Sequence, residues 1–424
     1  MTEAPLRILH AARNPADQAG VVVRAMRRMG LEAEVWVYDE NPFRYEVDRE
    51  IDIRSGDPQL FWRTFQEAID RFDVIHFHFG RTLFPAEWGG VPALWDLPIY
   101  RILGKRVFAT WHGSDCRQRR IHLETNPWSY FRYSDLMPDD NRTAKVVEVF
   151  RTYADGQFVT APDYLDYVPD AEIIGRVIDL AEWPEQVPEQ RPVPQILHVP
   201  SRRDTKGTEL LLPAIESLRA DGVAFEFRLL EGVPHEEARA AIRAADIVVD
   251  NLITGDYELV SIEAMASSRV AVANIQAPSA SAFPDAPVFS VDPDTVVARL
   301  RALIVDVELR RSLAARGRPH VAATHDGSVA AARLLAAYRA PVRPIAAQTF
   351  PDWVSLAPAR RVEQVERLLS EARGREFDYR RRLGLPVEAP NSETIKDHLP
   401  RSLRLMLRRS RARLTEAVRR RRRS

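Results

Sequence analysis

The sequence predicts an α/β protein built from two Rossmann-like domains whose parallel sheets face a cleft, followed by a helical, basic C-terminal extension. Three observations carry this prediction. Short apolar runs alternate with helical patterns over residues 6–161 and again over 196–274, and strands separated by helices make parallel sheets covered on both faces. Between the two series lies VPEQRPVP, Val187–Pro194, with three prolines in eight residues, a linker by composition. Finally, 424 residues with 45% apolar and 28% charged side chains are enough for two folded domains and an addition. The expected divisions are 1–186 for the first domain, 187–194 for the linker, 195–340 for the second domain and 341–424 for the extension.

Each element has its own local signal. Leu6–His10 reads as a strand, Asn14-Pro15 as a helix cap and first helical position, and Gly30 as a stop. Ala33–Tyr38 is the next strand. Asp57-Pro58 opens a helix that runs to about Phe72, and Val74–Phe79 is strand-like again. Arg106–Trp111 follows a helical stretch ending at Gly104, and Gln157–Ala161 follows another near Asn141–Asp155. After the linker come Ile196–Val199, a helix from about Thr208, Phe225–Leu230, a helix from Pro234, Ile247–Asp250, a helix from about Tyr257, and Val270–Asn274. In open α/β sheets ligands bind beyond the carboxyl ends of the strands, so both domains should face one cleft. From Pro341 the pattern becomes irregular, with a charged helical stretch over Arg361–Arg375.

Composition removes several function classes. No apolar run approaches the roughly 18 residues of a membrane span. The start, MTEAPLRILHAARN, lacks the pattern of a secretory signal, and a single cysteine, Cys116, leaves no disulfide framework; a cytoplasmic protein is the expectation. The 60 basic and 60 acidic residues cancel, but residues 401–424 hold eleven Arg and one Glu. The preceding 400 residues therefore hold 49 basic and 59 acidic side chains. On a helix Leu403, Met406, Leu407, Leu414, Ala417 and Val418 share one face of this tail and arginines fill the other. A basic amphipathic helix of that kind lies on anionic membranes, which predicts a peripheral seat at the inner membrane face. Nucleic acid is the less favoured partner, because the aromatic interleaving of single-strand binders is absent from 401–424.

Four places present chemistry at strand ends. The chain has no Walker loop, HExxH, paired CxxC or GxSxG. His76 and His78 share a strand face, either as two metal ligands without an evident third or as a pair bonding loop backbone. His112, directly after the strand RVFAT and before Gly113, is placed either to touch a ligand or to cap a neighbouring carbonyl. Arg203 and Lys206 lie between a strand and a helix start, where a bidentate clamp and a point charge suit a diphosphate; a solvated basic loop is the plainer account. Lys206 is one of only four lysines. Beyond the strand IVVDN a helix N-terminus opens, and Glu263, followed by an apolar run, needs a buried partner: sugar hydroxyls, or an Arg.

On these residues the chain resembles family 4 glycosyltransferases of the two-domain GT-B type. The stretches that carry the resemblance are VVVRAMRRMGLEAEV, DVIHFHFG, RVFATWHGSD, HVPSRRDTKGTELLLPAIESL and ADIVVDNLITGDYELVSIEAMASSRVAVANI, with LRRSLAARGRPHVAATHDGSVAAARLLAAYR resembling the closing helices. They run in the family's order from about residue 6 to 340. The resemblance implies that Arg203 and Lys206 hold the diphosphate of a nucleotide-sugar and that the backbone amides of Leu259 and Val260 meet its phosphates. It further implies that Glu263 binds the ribose hydroxyls and that His112 contacts the donor sugar. Transfer in the family retains anomeric configuration without a divalent metal, and the nucleotide-sugar is a substrate, so no cofactor or metal is expected. One departure stands out: the first Glu of the family's Glu-x7-Glu element falls on Gly255. Glu258, at a position the family gives to Gly, or the adjacent Asp256 is the expected substitute for its sugar contact. The N-terminal glycine pair of the family is also reduced to Ala19-Gly20.

The expected function is therefore a retaining glycosyltransferase that moves a sugar from a nucleotide-sugar to a glycan or lipid-linked saccharide in polysaccharide biosynthesis. The alternatives are a non-catalytic sugar-nucleotide-binding scaffold, to which Gly255 points, and a nucleotide-sugar epimerase of the same fold.

Overall fold

The apolar runs before residue 174 assemble into one parallel sheet and those after residue 194 into another. The computed structural model describes residues 6–38, 45–52, 57–84, 93–185 and 191–344. The expected helix Arg361–Arg375, the basic tail 401–424 and linker residues 187–190 lie outside the described residues.

The first series is β1 (Arg7–Ala12), α1 (Gln18–Arg28), β2 (Glu32–Tyr38), β3 (Arg49–Ile51), α2 (Pro58–Arg71), β4 (Val74–His78), α3 (Asp96–Ile102), β5 (Arg106–Trp111), α4 (Arg119–Thr125), α5 (Asp140–Tyr153), β6 (Gly156–Val159) and β7 (Glu172–Ile173). Caps explain several starts. Asp57 accepts from the Gln59 amide at 2.9 Å with Pro58 at the first helical position, and Asp139 accepts from the Arg142 amide at 3.0 Å. Asn14 works at longer range than expected. A short 3-10 turn, Pro15–Asp17, intervenes before α1, and the Asn14 Oδ1 then accepts from the amides of Ala19 and Gly20 at 3.0 and 3.2 Å.

The second series is β8 (Gln195–His198), α6 (Arg203–Lys206), α7 (Thr208–Ala220), β9 (Glu226–Leu229), α8 (His235–Ala244), β10 (Ile247–Asn251), α9 (Leu259–Ala266), β11 (Val270–Ala273), α10 (Ala277–Ala282), β12 (Val288–Ser290), α11 (Val296–Val305), α12 (Val307–Thr324) and α13 (Gly327–Arg339). The one-turn α6 arises where a loop was expected: Gly207, at φ +76°, breaks it from α7, and a Cβ there would stand 3.1 Å from Leu252 Cβ.

All pairings within both sheets are parallel. The first sheet runs β3-β2-β1-β4-β5-β6-β7 and the second β12-β11-β10-β8-β9. Strand order reverses between β1 and β4 in one and between β8 and β10 in the other, and a doubly wound sheet leaves a crevice at such a point. The central strands are buried along their length; β4, β10 and β11 have no residue outside the core. β11 accordingly reads as a continuous apolar run, while β4 and β10 bury His76, His78, Asp250 and Asn251 among apolar residues.

The last helix does not stay with the second sheet. Ala330, Ala331, Leu334 and Tyr338 of α13 pack with Ile8, Val22, Val35, Val74 and Phe108 in the core of the first. The closing turn is fixed by backbone: Ile178 N donates to His325 O at 2.9 Å and Gly327 N to Ile178 O at 3.0 Å. Gly327 is needed at this contact, because a Cβ would meet Val21 Cγ1 at 2.7 Å. Burying a side chain such as Leu334 contributes roughly 1.5–3 kcal/mol, so α13 ties the end of the 195–340 segment firmly to the first domain. Among the described residues no helix is long and apolar enough to cross a membrane.

Candidate active site

At the switch point of the second sheet, Lys206 follows β8 by way of α6 and Asp250 sits near the end of β10. The Lys206 side chain is buried, and its Nζ donates to Asp250 Oδ1 at 2.7 Å and to Glu258 Oε2. Burial opposes the ammonium charge, but Asp250 and Glu258 outweigh it and push the Lys206 pKa up to about 12. The other oxygen of Asp250 caps α9, accepting from the Glu258 amide at 2.8 Å and from the Ser261 hydroxyl at 2.9 Å. The next amides, Leu259 and Val260, belong to the first helical turn, which has no intrahelical acceptors.

Glu258 is shared between the two domains. Arg176, just beyond β7, keeps 11% of its side chain exposed and reaches the loop before α9. Its Nη1 donates to Asp256 Oδ2 at 2.7 Å and to Tyr257 O at 3.0 Å, and its Nη2 to Tyr164 OH at 3.2 Å and Glu258 Oε1 at 3.4 Å. The result is a file of charges, Asp256–Arg176–Glu258–Lys206–Asp250, with three carboxylates for two cations. Burial raises the Asp256 carboxyl to about 6 against the pull of Arg176. Burial also works against the charge on Glu258, yet Lys206 and Arg176 hold its pKa well below the usual carboxylate range.

This arrangement changes the expected parts of several residues. Arg203 does not join Lys206. It lies at the surface, its guanidinium donating to Glu209 at 2.7 Å and to Glu231 at 2.8 Å, whereas Lys206 is drawn inward by Asp250 and Glu258. The cation that does accompany Lys206 is Arg176, which sequence inspection passed over because it stands in an irregular stretch without a pattern around it. Asp256 is not open to a sugar: one oxygen is bonded by Arg176 and the other by the Ser279 hydroxyl. Glu258 likewise faces cations rather than open space. Glu263 is buried, and its partner is a histidine rather than an arginine, with His235 Nε2 and Glu263 Oε1 at 3.0 Å.

Gly255 has a local cause. Its φ is +91°, and a Cβ would stand 3.2 Å from Asn126 Nδ2 and 3.2 Å from Gln276 Cδ. Those two amides form a bridge over the loop: Gln276 Nε2 donates to Asn126 Oδ1 at 2.6 Å, and Asn126 Nδ2 donates to the carbonyls of Ile253 and Thr254 at 3.2 Å each. The space beside residue 255 that a carboxylate would enter is filled.

His112 follows β5 on the first domain. Its backbone amide donates to Asp115 Oδ1 at 3.0 Å and its carbonyl accepts from Tyr164 OH at 3.1 Å. Its ring caps no carbonyl; Nε2 is 2.9 Å from His78 Nδ1. Burial, helped by nearby Arg176, lowers its pKa to about 3. A cavity of about 20 Å³ beside His78, Thr110, His112 and Thr160 has room for one water. His76 and His78 meet other side chains, neither a metal cluster nor loop backbone; among the described residues no group of three or more His, Cys, Asp or Glu is arranged to hold a metal ion. A larger hollow of about 390 Å³ lies where β1 and β2 begin, lined by Arg7, Arg27 and Arg71. These pair with Asp73, Asp48 and Glu34, and the hollow is remote from both switch points.

No protein-family model matches the chain, and no curated protein matches it in sequence. Solved structures do match in fold. Sucrose-phosphate synthase from Thermosynechococcus elongatus superposes with a TM-score of 0.53 at 15% identity, over 79% of this chain and 98% of that one. A glycosyltransferase from Rickettsia africae gives 0.53 at 12% identity, over 79% and 98%. The E. coli trehalose-6-phosphate structure bound with UDP-2-fluoro glucose gives 0.50 at 12% identity, over 79% and 99%. At such identities the likeness is one of architecture, and the architecture is GT-B: two parallel-sheet α/β domains of seven and five strands.

Proposed function

We propose that the chain is a glycosyltransferase that moves a sugar from a nucleotide-sugar donor to a glycan or lipid-linked saccharide acceptor, with retention of configuration. The observation that carries this reading is the buried Lys206 at the β8/β10 switch point, joined there by Arg176 of the other domain and by the start of α9. Two desolvated cations and a helix N-terminus suit a leaving diphosphate, whose developing charge they stabilise without reorganising; on this reading transfer needs no divalent metal. In the step, the bond from the anomeric carbon to the diphosphate oxygen breaks and an acceptor hydroxyl oxygen bonds that carbon on the same face. The hydroxyl proton passes to the leaving diphosphate. His112 lines the donor sugar, Glu263 the ribose, and the tail 401–424 brings the enzyme to an anionic membrane surface.

On this reading Glu258 competes with the donor. Its carboxylate bridges the two cations that a diphosphate would use, so donor binding displaces it. Calorimetry with UDP, GDP and ADP tests this. One of them should bind, Lys206→Ala should lose that binding, and Glu258→Gln should bind at least about tenfold tighter, which is about 1.4 kcal/mol. Because Lys206→Ala leaves Asp250 and Glu258 buried without their ammonium, its melting curve is recorded alongside. Absence of nucleotide binding in both wild type and Glu258→Gln overturns the reading. The filled space beside Gly255 favours a second reading, a sugar-nucleotide binder without turnover; release of free sugar from the matching nucleotide-sugar separates the two.

A further inference from the structure

Four histidines and a tyrosine form a continuous hydrogen-bonded file inside the first domain. Thr110 Oγ1 is 2.7 Å from His76 Nε2, and His76 Nδ1 is 2.6 Å from Tyr338 OH. The same hydroxyl is 3.3 Å from His10 Nε2; His10 Nδ1 is 2.8 Å from His78 Nε2, and His78 Nδ1 is 2.9 Å from His112 Nε2. Topology brings them together. His10 and His76 are neighbours in register across β1 and β4, His78 is two residues further along the same face, and His112 follows the adjoining β5. Tyr338 arrives from α13. The rings of His10, His76 and His78 stack with centroids 4.8–5.1 Å apart. Burial keeps all of them neutral, with His10 lowered to about 3 and His76 and His78 well below the ordinary histidine value.

A neutral imidazole has one N–H and one lone pair. Each of His76, His10 and His78 uses both ring nitrogens in the file, so each donates at one and accepts at the other. Tyr338 has one proton to give, so once it donates at one of its two links it accepts at the other, and the direction of every further link follows. The two bonds of Tyr338 indicate that direction. A hydroxyl donor makes the shorter hydrogen bonds and an N–H donor the longer. The 2.6 Å contact to His76 Nδ1 is then the one in which Tyr338 donates, and the 3.3 Å contact the one in which His10 Nε2–H donates to it. It follows that His78 Nε2–H donates to His10 Nδ1, and His112 Nε2–H donates to His78 Nδ1.

We propose that this file fixes His112 as its Nε2–H tautomer, leaving an Nδ1 lone pair for its ligand, and that Tyr338, His10 and His78 are the positioning residues that set it. Among the described residues His112 Nδ1 makes no hydrogen bond, so the lone pair is available to a hydroxyl donor such as a sugar O–H. Only that last identification rests on the function proposed above; the tautomer does not. The file also makes the docking of α13 a condition for the state of a ring on β5, far from it in sequence.

The full chain labelled with ¹⁵N-histidine tests the proposal without substrate. In wild type at neutral pH, the ¹⁵N shifts of His112 should show a protonated Nε2 and a lone pair on Nδ1. In Tyr338→Phe, which removes only the hydroxyl, both nitrogens should move toward averaged values as the second tautomer populates. A wild-type His112 protonated at Nδ1, or a His112 signal pair unchanged in Tyr338→Phe, overturns it. The wild-type measurement stands even if the variant folds poorly. A negative nucleotide calorimetry result with the expected His112 shifts would remove the functional reading and leave the tautomer assignment intact.

Discussion

Glu263 is only 4% exposed, and a polar group buried there needs a hydrogen-bond partner. His235 is that partner, and the hydrogen bond with Glu263 raises the histidine pKa against the opposing effect of burial. A histidine whose folded pKa lies above its unfolded value stabilises the fold fully below about 6.5, and the contribution disappears as pH rises through the raised value. His235→Ala should therefore melt below wild type by the widest margin near about pH 5.5 and match it by about pH 8.5. With the ring 41% exposed, the gap should stay within about 1 kcal/mol. A gap that is constant with pH would refute the pairing. Glu258 shows how residue type and residue part can separate. Its position in GDYELV marked it as unusual, but only the cations converging on it from α6 and from Arg176 turn an expected sugar contact into an internal anion. Lys206 was legible because a rare lysine stood at a strand–helix junction. Arg176, Asn126 and Gln276 were not, since the partners that give them their parts stand 80 or more residues away, and Asp250 meets Lys206 across 44.

At the scale of elements, the strands that sequence inspection located best are the inner ones, β1, β2, β4, β5, β8, β10 and β11. Burial on two faces forces apolar residues at successive positions there. Of the four edge strands, β3, β7 and β12 hold only three, two and three residues, too few to show a period, and each exists because a neighbouring strand offers it a ladder; β9, also at an edge, holds four and is legible as Phe225–Leu230. Helix α9, which presents the candidate phosphate amides, is short and lacks a polar face. Its position is set from behind by α12, where Gly317 lets the two backbones approach: a Cβ at 317 would stand 2.8 Å from Met265 O and 3.0 Å from Met265 Cα. Backbone cannot yield as a side-chain tip can. Gly317→Ala should accordingly lose about 1–2 kcal/mol net, overpacking exceeding the helix-propensity gain of Ala over Gly. Chemical denaturation checks the value, and an equal or higher stability would show that α9 and α12 are not in close contact.

Across the whole molecule, formal neutrality conceals two opposite parts, a body with ten excess acidic residues over 1–400 and a tail with ten excess arginines over 401–424. The acidic excess reaches even the candidate site, where three carboxylates meet two cations, so positive charge there is local rather than a broad field. The tail is the reverse, eleven arginines in 24 residues. Each basic residue near an anionic leaflet contributes about 1 kcal/mol, so a few engaged arginines give measurable adhesion, and screening should weaken it as salt rises. Vesicles containing phosphatidylserine should sediment the full chain at low salt, release it at high salt, and fail to sediment a chain ending at residue 400, while nucleotide calorimetry is the same for both. If the truncated chain sediments equally, adhesion belongs to the acidic body, and electrostatic attraction by the tail is not its cause.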